Sequence, residues 1–274
     1  RFDNNSTVPN KNYLLSPRIS AIYKPFENHT FRGSFSRVYK TPTAAERESY
    51  VEFVAGSGVY YVGDVNIEPE RLYSLDVGYT GFLMDSRLVV NLDAYISSRH
   101  DLRTWHSPQG YPAFLQNLAV NNGSMAGKGI ELALKYSVTD NIIAMADWTY
   151  TNLTPDINFL SHRVDAKGNA IHKHLIGTGL SVTQGNLKCD FYLRYSDSGE
   201  IRRSPLSRYQ GNTDESFKHF FKTFARFAYT VDLPFLGDSE TEFELVLNDI
   251  GCNAHQEYGY YIEPEVYAGM KVKF

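Results

Sequence analysis

The sequence predicts an all-β protein, an antiparallel transmembrane β-barrel of the outer-membrane kind with about eleven strands, on three observations. The chain ends on a strand in which Val266, Ala268, Met270, Val272 and Phe274 share one parity while Tyr267, Gly269, Lys271 and Lys273 share the other. Period-two alternation places each set on its own face, and an apolar stripe running into a terminal aromatic is the pattern of a strand whose outer face touches lipid. Ten further segments repeat the alternation. The connections between them alternate strictly between short and long, which is the rhythm of a barrel with short periplasmic turns and long outer loops.

Taken in order, segments 16–25 and 29–39 flank the short turn Phe26-Glu27-Asn28. The long polar stretch 40–67 leads to 68–82, and Met84-Asp85 turns the chain into 87–99. There Leu88, Val90, Leu92, Ala94 and Ile96 alternate with Asn91, Asp93 and Tyr95. After the stretch 100–115 come 116–137 and 141–152, joined at Thr139-Asp140. After 153–171 come 172–183 and 187–198, joined at Gly185-Asn186. After 199–216 come 217–233 and 240–250, joined around Gly237-Asp238, and 251–263 leads to the final strand 264–274. A further strand within 50–62, carried by Val51, Phe53, Val59 and Tyr61, would raise the count to twelve.

Composition narrows the class. No stretch approaches the roughly 20 apolar residues of a spanning helix, so the chain does not cross a membrane that way. Of its 274 residues, 14% are aromatic, with 20 Tyr and 17 Phe, enough for aromatic bands at two interfaces. The net charge of -4 with both signs mixed gives no electrostatic case for nucleic acid. Cys189 and Cys252 fall toward opposite ends of the sheet, too far apart for the ~7 Å Cα separation a disulfide requires. Residues 1–15 are polar, with Asn4, Asn5, Asn10 and Asn12, and contain no secretory leader. The expectation is a leader removed in maturation, or a chain that is a fragment.

With eleven strands the first and last run the same way, both toward the periplasm, and cannot close on each other antiparallel. Open edges are not tolerated in lipid. The expectation is therefore that residues 1–274 form the C-terminal half of a 22-stranded barrel, the size class with a plugged lumen.

Specific segments carry a resemblance. Leu15-Ser16-Pro17-Arg18-Ile19-Ser20 through Tyr39-Lys40-Thr41-Pro42-Thr43 resembles a strand pair and the turn after it in TonB-dependent outer-membrane receptors. Asn66-Ile67-Glu68-Pro69-Glu70-Arg71, leading to Asp76-Val77-Gly78-Tyr79, and Gly127-Lys128-Gly129-Ile130-Glu131-Leu132 resemble two strand starts of that family, the latter with Gly letting the wall bend. Leu245-Val246-Leu247-Asn248-Asp249 and Lys271-Val272-Lys273-Phe274 resemble its last two strands. The family's Asn-Leu-Phe-Asp box reads Asn248-Asp249-Ile250-Gly251, and its plug domain and TonB box have no counterpart in this chain. The resemblance implies an outer-membrane receptor of a Gram-negative bacterium. It binds a scarce ligand, an iron-siderophore or similar chelate or a cobalamin, and imports it with energy from the TonB complex acting through a plug. It also implies contact with membrane lipids and lipopolysaccharide, and with the barrel-assembly machinery through the strand ending at Phe274.

Candidate ligand contacts are loop residues, because binding surfaces sit on loops held by a rigid scaffold. They are Tyr60 and Tyr61, Trp105 and His106, and Arg202, Arg203 and Arg208. Aromatics and arginines suit a flat anionic chelate; the competing reading has them packing loops or binding lipopolysaccharide phosphates. Glu131, Asp147, Asp190, Arg194, Arg226, Glu242 and Glu244 are expected to line the lumen and to meet the plug or water. Tyr136, Trp148, Tyr150, Tyr195 and Tyr229, on the apolar parity, read as girdle anchors. His162, His172 and His174 read as interfacial histidines ahead of a metal site. Gly56-Ser57-Gly58 has no following Lys or helix and is no phosphate cradle; the sequons at Asn28, Asn122 and Asn152 read as chance. No Gly-x-Ser-x-Gly motif or one-face triad supports an outer-membrane enzyme, so no catalytic residue, metal or cofactor is expected. A passive porin is the other alternative, and it should close by itself on an even strand count.

Overall fold

The structure is a computed structural model that describes residues 2–3, 14–52, 56, 60–106, 116–159, 162–164, 173–201, 215–217, 219–233, 240–250, 255–257 and 260–273. Eleven strands make one wall: β1 (Arg18–Phe26), β2 (His29–Lys40), β3 (Glu70–Leu83), β4 (Leu88–His106), β5 (Gln116–Thr139), β6 (Ile142–Phe159), β7 (His174–Gln184), β8 (Leu187–Ser196), β9 (Phe220–Asp232), β10 (Glu240–Asn248) and β11 (Glu265–Lys273). Each pairs antiparallel with the next in sequence, so the sheet order is the chain order. Among the described residues, β1 and β11 are its two edges and run in the same direction.

Among the described residues no second sheet covers this wall. Among the described residues the buried hydrophobic side chains are few, Leu14, Ile67, Leu102, Ala119, Phe220 and Ala228 with Pro42 and Pro69, whereas Ile19, Val77, Ile96, Phe191, Leu245 and Val266 stand exposed along the strands. A soluble sandwich hides one face of each sheet in a common core; here the apolar face meets its surroundings directly, as a barrel wall does.

One end of the wall is built of tight turns. β1–β2 turns at Glu27-Asn28, β5–β6 at Asp140-Asn141 and β7–β8 at Gly185-Asn186, with Gly185 at φ +56°, a conformation that side chains with a Cβ rarely take. The β9–β10 turn, including Gly237-Asp238, falls mostly outside the described residues.

At the opposite, loop end, β4, β5 and β6 run to 19, 24 and 18 residues. A lipid crossing takes only about 9–11, so these three strands project well past the apolar band. Trp105 and His106 accordingly lie on β4 rather than in a loop after residue 99. Beyond lipid both faces are wet and the alternation that marks a strand disappears. The stretch 50–62 does pair: Tyr50–Glu52 lies antiparallel to Tyr60–Val62, which joins Gln116–Leu118 in parallel. That hairpin sits off the wall, so the wall keeps eleven strands. Gly127 and Gly129 interrupt no register. The β4–β5 register runs unbroken from Leu88↔Tyr136 to Arg99↔Met125, and it shifts instead at Arg99/Leu102, where Asp101 has φ 57°. Gly129 leaves room for the Tyr95 ring, whose atoms would lie 2.5 Å from an added Cβ.

Candidate functional site

Strand register fixes two chemically distinct faces. Asp93↔Glu131, Glu131↔Thr149, Asp147↔Gly177, Gly177↔Arg194, Asp190↔Arg226, Thr230↔Glu242 and Ala228↔Glu244 put Glu131, Asp147, Asp190, Arg194, Arg226, Glu242 and Glu244 on one face. Tyr136, Trp148, Tyr150, Tyr195 and Tyr229 fall on the other, apolar face.

The charged face is tied across strands. Arg226 donates to Glu244 at 2.9 Å and Glu242 at 2.8 Å and reaches Asp190 at 3.5 Å; Lys271 donates to Glu244 at 2.9 Å. Ser181 donates to Asp190 at 2.6 Å. Two of the ties reach over a glycine. Arg32 on β2 pairs with Asp93 on β4 above Gly78 of β3, and Tyr192 on β8 donates to Asp147 on β6 above Gly177 of β7. A Cβ on either glycine would collide with the paired side chains. Glu131 stands beside Asp93 in register.

The loop end of β3–β5 holds the one folded connection that the structure describes closely. A five-residue helix, α1 (Ala44–Glu48), starts in a capping box. The Glu46 carboxylate accepts from the Thr43 N–H at 2.8 Å and hydroxyl at 2.9 Å, and the Thr43 hydroxyl oxygen accepts from the Glu46 N–H at 3.3 Å. The chain then returns over the charged face. Gly63 N–H donates to Ser49 O at 2.7 Å and Asp64 N–H to Glu46 O at 3.1 Å.

Arg103 of β4 clamps this segment. Its guanidinium donates to Glu46 at 2.8 Å and to Glu70 at 3.2 Å, with its side chain 3% exposed and that of Glu70 7%. Asn121 of β5 adds a second clamp, accepting from Glu68 N–H at 2.7 Å and donating to Glu68 O at 3.0 Å and Asp101 O at 2.8 Å. Buried Ile67 and Pro69 complete the contact. Burial pushes the Glu46 carboxyl up, but its two bonds from Thr43 and the charges of Arg103 and Lys40 outweigh it and hold the group below the usual carboxylate range.

This clamp brings two candidate pairs together in backbone register. Gln116–Leu118 has Tyr60–Val62 on one side and the end of β4 on the other, with Trp105↔Ala119 and His106↔Leu118. Arg202, Arg203, Arg208, His172, Cys252 and Phe274 lie outside the described residues. His174 takes a hydrogen bond from Trp148 Nε1 at 3.2 Å, and no cluster of three or more metal-ligating side chains occurs among the described residues. Arg103, Glu46 and Glu70 were not among the candidates read from the sequence. Thr43-Ala44-Ala45-Glu46 was the available signal, since Thr followed three residues later by Glu is a helix-start signature.

Residues 1–237 match the family model described as TonB dependent receptor-like, beta-barrel. No curated protein sequence matches the chain. Among solved structures it is similar to FpvA of Pseudomonas aeruginosa in complex with a heterologous pyoverdine and iron, at 14% identity and TM-score 0.67, covering 96% of this chain and 33% of that one. It is similar to the FrpB iron transporter from Neisseria meningitidis at 16% identity and TM-score 0.67, covering 94% and 39%. It is also similar to the ferric-catecholate import receptor Fiu from K12 E. coli at 13% identity and TM-score 0.66, covering 95% and 35%. The chain thus spans between a third and two fifths of the length of these structures. With the family model covering most of the chain and the fold similar to these structures, the chain belongs to the TonB-dependent receptor β-barrel family of the outer membrane.

Proposed function

We propose that this chain is part of the wall and outer mouth of an active importer. The importer binds a scarce chelate, an iron-siderophore or a cobalamin, and moves it inward with energy supplied by the TonB complex through a plug. The observation that carries the reading is the segment 41–69, clamped by Arg103 and Asn121 over the charged face, which sets Tyr60–Tyr61 and Trp105–His106 around one corner of the mouth. A connection folded over the charged face and held there by buried ion pairs is a fixed surface of the kind that can carry ligand contacts, which supports the reading. The printed names of the similar structures, an iron transporter, a ferric-catecholate import receptor and a receptor bound to iron-loaded pyoverdine, support iron chelates ahead of cobalamin.

In this reading the charged face lines the lumen, where Glu131, Asp147, Arg194 and the Arg226 cluster meet the plug and water. Arg202, Arg203 and Arg208 join the ligand surface from the β8–β9 connection. Lipopolysaccharide and lipid surround the apolar face, and the strand ending at Phe274 engages the assembly machinery. The wall is completed by an odd number of further strands, because β1 and β11 run the same way and each needs an antiparallel neighbour.

The test is uptake of radiolabelled iron-siderophores and of cobalamin by iron-starved and cobalamin-starved hosts carrying the full-length receptor, with and without TonB. Saturable uptake of one ligand that disappears without TonB is expected. Uptake that is non-saturable and indifferent to TonB would make the protein a passive porin and end this reading.

A further inference from the structure

Away from the clamp, the loop end of β8–β11 carries a second recess on the charged face. Four residues lie level across the four strands, with Tyr192↔Phe224, Phe224↔Asn248 and Asn248↔Glu265 as cross-strand partners. At the next position toward the loops on that face, Arg194 and Lys222 stand directly opposite each other. These six side chains line a recess of about 400 Å³.

Its open side is built by the stretch Asn248-Asp249-Ile250-Gly251. Asp249 takes φ 55°, a left-handed conformation that Asn and Asp adopt more readily than other residues with a Cβ. It is 7% exposed, and its N–H donates to Thr223 O at 2.7 Å while its carboxylate accepts from the Thr223 N–H at 3.2 Å. The Thr223 hydroxyl donates to Ile250 O at 2.9 Å. These bonds hold the end of β10 against β9. With β10 ending at Asn248 and β11 beginning at Glu265, that half of the recess lies where the wall stops.

The charges are separated by sign. Arg194 donates to the Tyr192 hydroxyl at 3.3 Å and stands 3.8 Å from Asp147, with its side chain 44% exposed. Like charges facing each other across two strands repel, and an anion held between Arg194 and Lys222 relieves that repulsion. On the other side Glu265 accepts from the Tyr267 hydroxyl at 2.5 Å, which orients its carboxylate. Lys222 and Glu265 are two strand spacings and two residues apart, roughly 12 Å between Cα atoms. Two cations at one end, a carboxylate at the other and the rings of Tyr192 and Phe224 between them match a zwitterion whose opposite charges lie many bonds apart. A single amino acid is too short for that span, and a polyanion meets Glu265.

We propose that this recess binds a short peptide-like zwitterion, its carboxylate on Arg194 and Lys222, its ammonium on Glu265 and its backbone over Phe224 beside Asn248. The source is a free oligopeptide or the peptide arm of an iron chelate, and in the second case the inference rests on the import reading above.

The experiment titrates the purified full-length receptor in a calorimeter, with heat-modifiable gel mobility verifying that each variant is folded. One probe is the tripeptide Ala-Phe-Ala; the other is the iron(III) complex of a linear tripeptide carrying three hydroxamates. Each is made with both ends free, with only the amine acetylated, and with only the carboxyl amidated. For at least one probe, either cap is expected to weaken binding to wild type by roughly tenfold, the scale of a lost charge-assisted hydrogen bond. Glu265→Gln should cost the free form a similar factor and leave the acetylated form unchanged. R194Q/K222Q should do the same for the free and amidated forms, and Lys188→Gln, nearer the turns on the same face, should alter none of them. Binding of Ala-Phe-Ala assigns the recess to free peptides; binding of the chelate alone assigns it to a peptide arm. Equal affinity of free and capped forms for wild type overturns the proposal without any variant, as does binding of neither probe. So does a loss in Glu265→Gln or R194Q/K222Q that is the same for every form. TonB-dependent iron uptake alongside such a negative result removes this recess as a site and leaves the import reading standing.

Discussion

Replacing Arg103 by Gln removes the charge that two carboxylates share at the mouth. The side chains of Arg103 and Glu70 are 3% and 7% exposed, and that of Glu46 is 25% exposed. Taking one partner out of a buried ion pair costs about 3–5 kcal/mol, because the other charge is left uncompensated. Glu46 can draw on water when the clamp is lost, so the low end applies, about 3 kcal/mol, or roughly a 150-fold fall in the ratio of docked to undocked segment. The wall at β6–β9 is not expected to feel it, since the clamp residues Glu46, Glu70, Arg103 and Asn121 lie on α1, β3, β4 and β5. Hydrogen exchange reads the effect at the amides of Gly63, Asp64 and Ile67, which are bonded to Ser49 O, Glu46 O and Asp64 O. Their protection should collapse in Arg103→Gln while that of β6–β9 holds. Replacing Arg103 and Glu70, the two buried members, by Met should recover part of the docking, because that pair then leaves no buried charge stranded and Glu46 keeps access to water. Protection at Gly63 and Asp64 within roughly threefold of wild type in Arg103→Gln would refute the clamp, since the local opening free energy would then be unchanged.

Three further outcomes follow from the same geometry. Gly177→Ala pushes a Cβ into the Asp147–Tyr192 pair; overpacking of about 1–3 kcal/mol should lower the temperature at which the barrel loses its compact gel mobility. Thr43→Ala removes the hydroxyl half of the capping box and should weaken docking of segment 41–69 by about 1 kcal/mol, seen as faster exchange at Asp64 with the wall unchanged. Docking should also depend on acid. The folded pKa of Glu46 is depressed below 4.5, so its contribution is complete above that ordinary value and is lost as pH falls through the lower folded one. Exchange at Gly63 and Asp64, corrected for intrinsic rate, should be flat from pH 7 down to about 5 and accelerate only below the usual Glu range; acceleration already near neutrality would assign the titration to another group.

The wall was legible because lipid forces a parity on every residue that touches it. Leu88, Val90, Leu92, Ala94 and Ile96 announce both a strand and its greasy side, and counting such runs gives eleven strands with the edges at 16–25 and 264–274 that the sheet displays. Where lipid stops, so does the signal. Residues 100–106 continue β4 and 153–159 continue β6, yet both faces are solvated there and a strand reads as loop. The inward fold of 41–69 was hidden for a different reason: Arg103 meets Glu46 across 57 residues of chain and Asn121 meets Glu68 across 53, and no local pattern records such a pairing. The packing role of the glycines was hidden as well. Gly129 provides space for the Tyr95 ring, and Gly78 and Gly177 provide it for the Arg32–Asp93 and Tyr192–Asp147 ties, which a sequence pattern along one strand does not show.

Those glycine gaps bear on how such a wall finds its alignment while it is assembled. Greasy-and-wet alternation rejects a slip of one residue, which turns every strand inside out, but it is blind to a slip of two. A two-residue slip of β3 would carry Gly78 out from under the Arg32–Asp93 tie and bring Asp76 or Thr80 beneath it, where a side chain already fills the gap. The same displacement of β7 would lodge Leu175 or Gly179 beneath Asp147 and Arg194, and only one of these would leave the span open. Missing side chains on the middle strand, matched to opposite charges on its neighbours, therefore act as a proofreading code for alignment that the hydrophobic pattern alone does not contain.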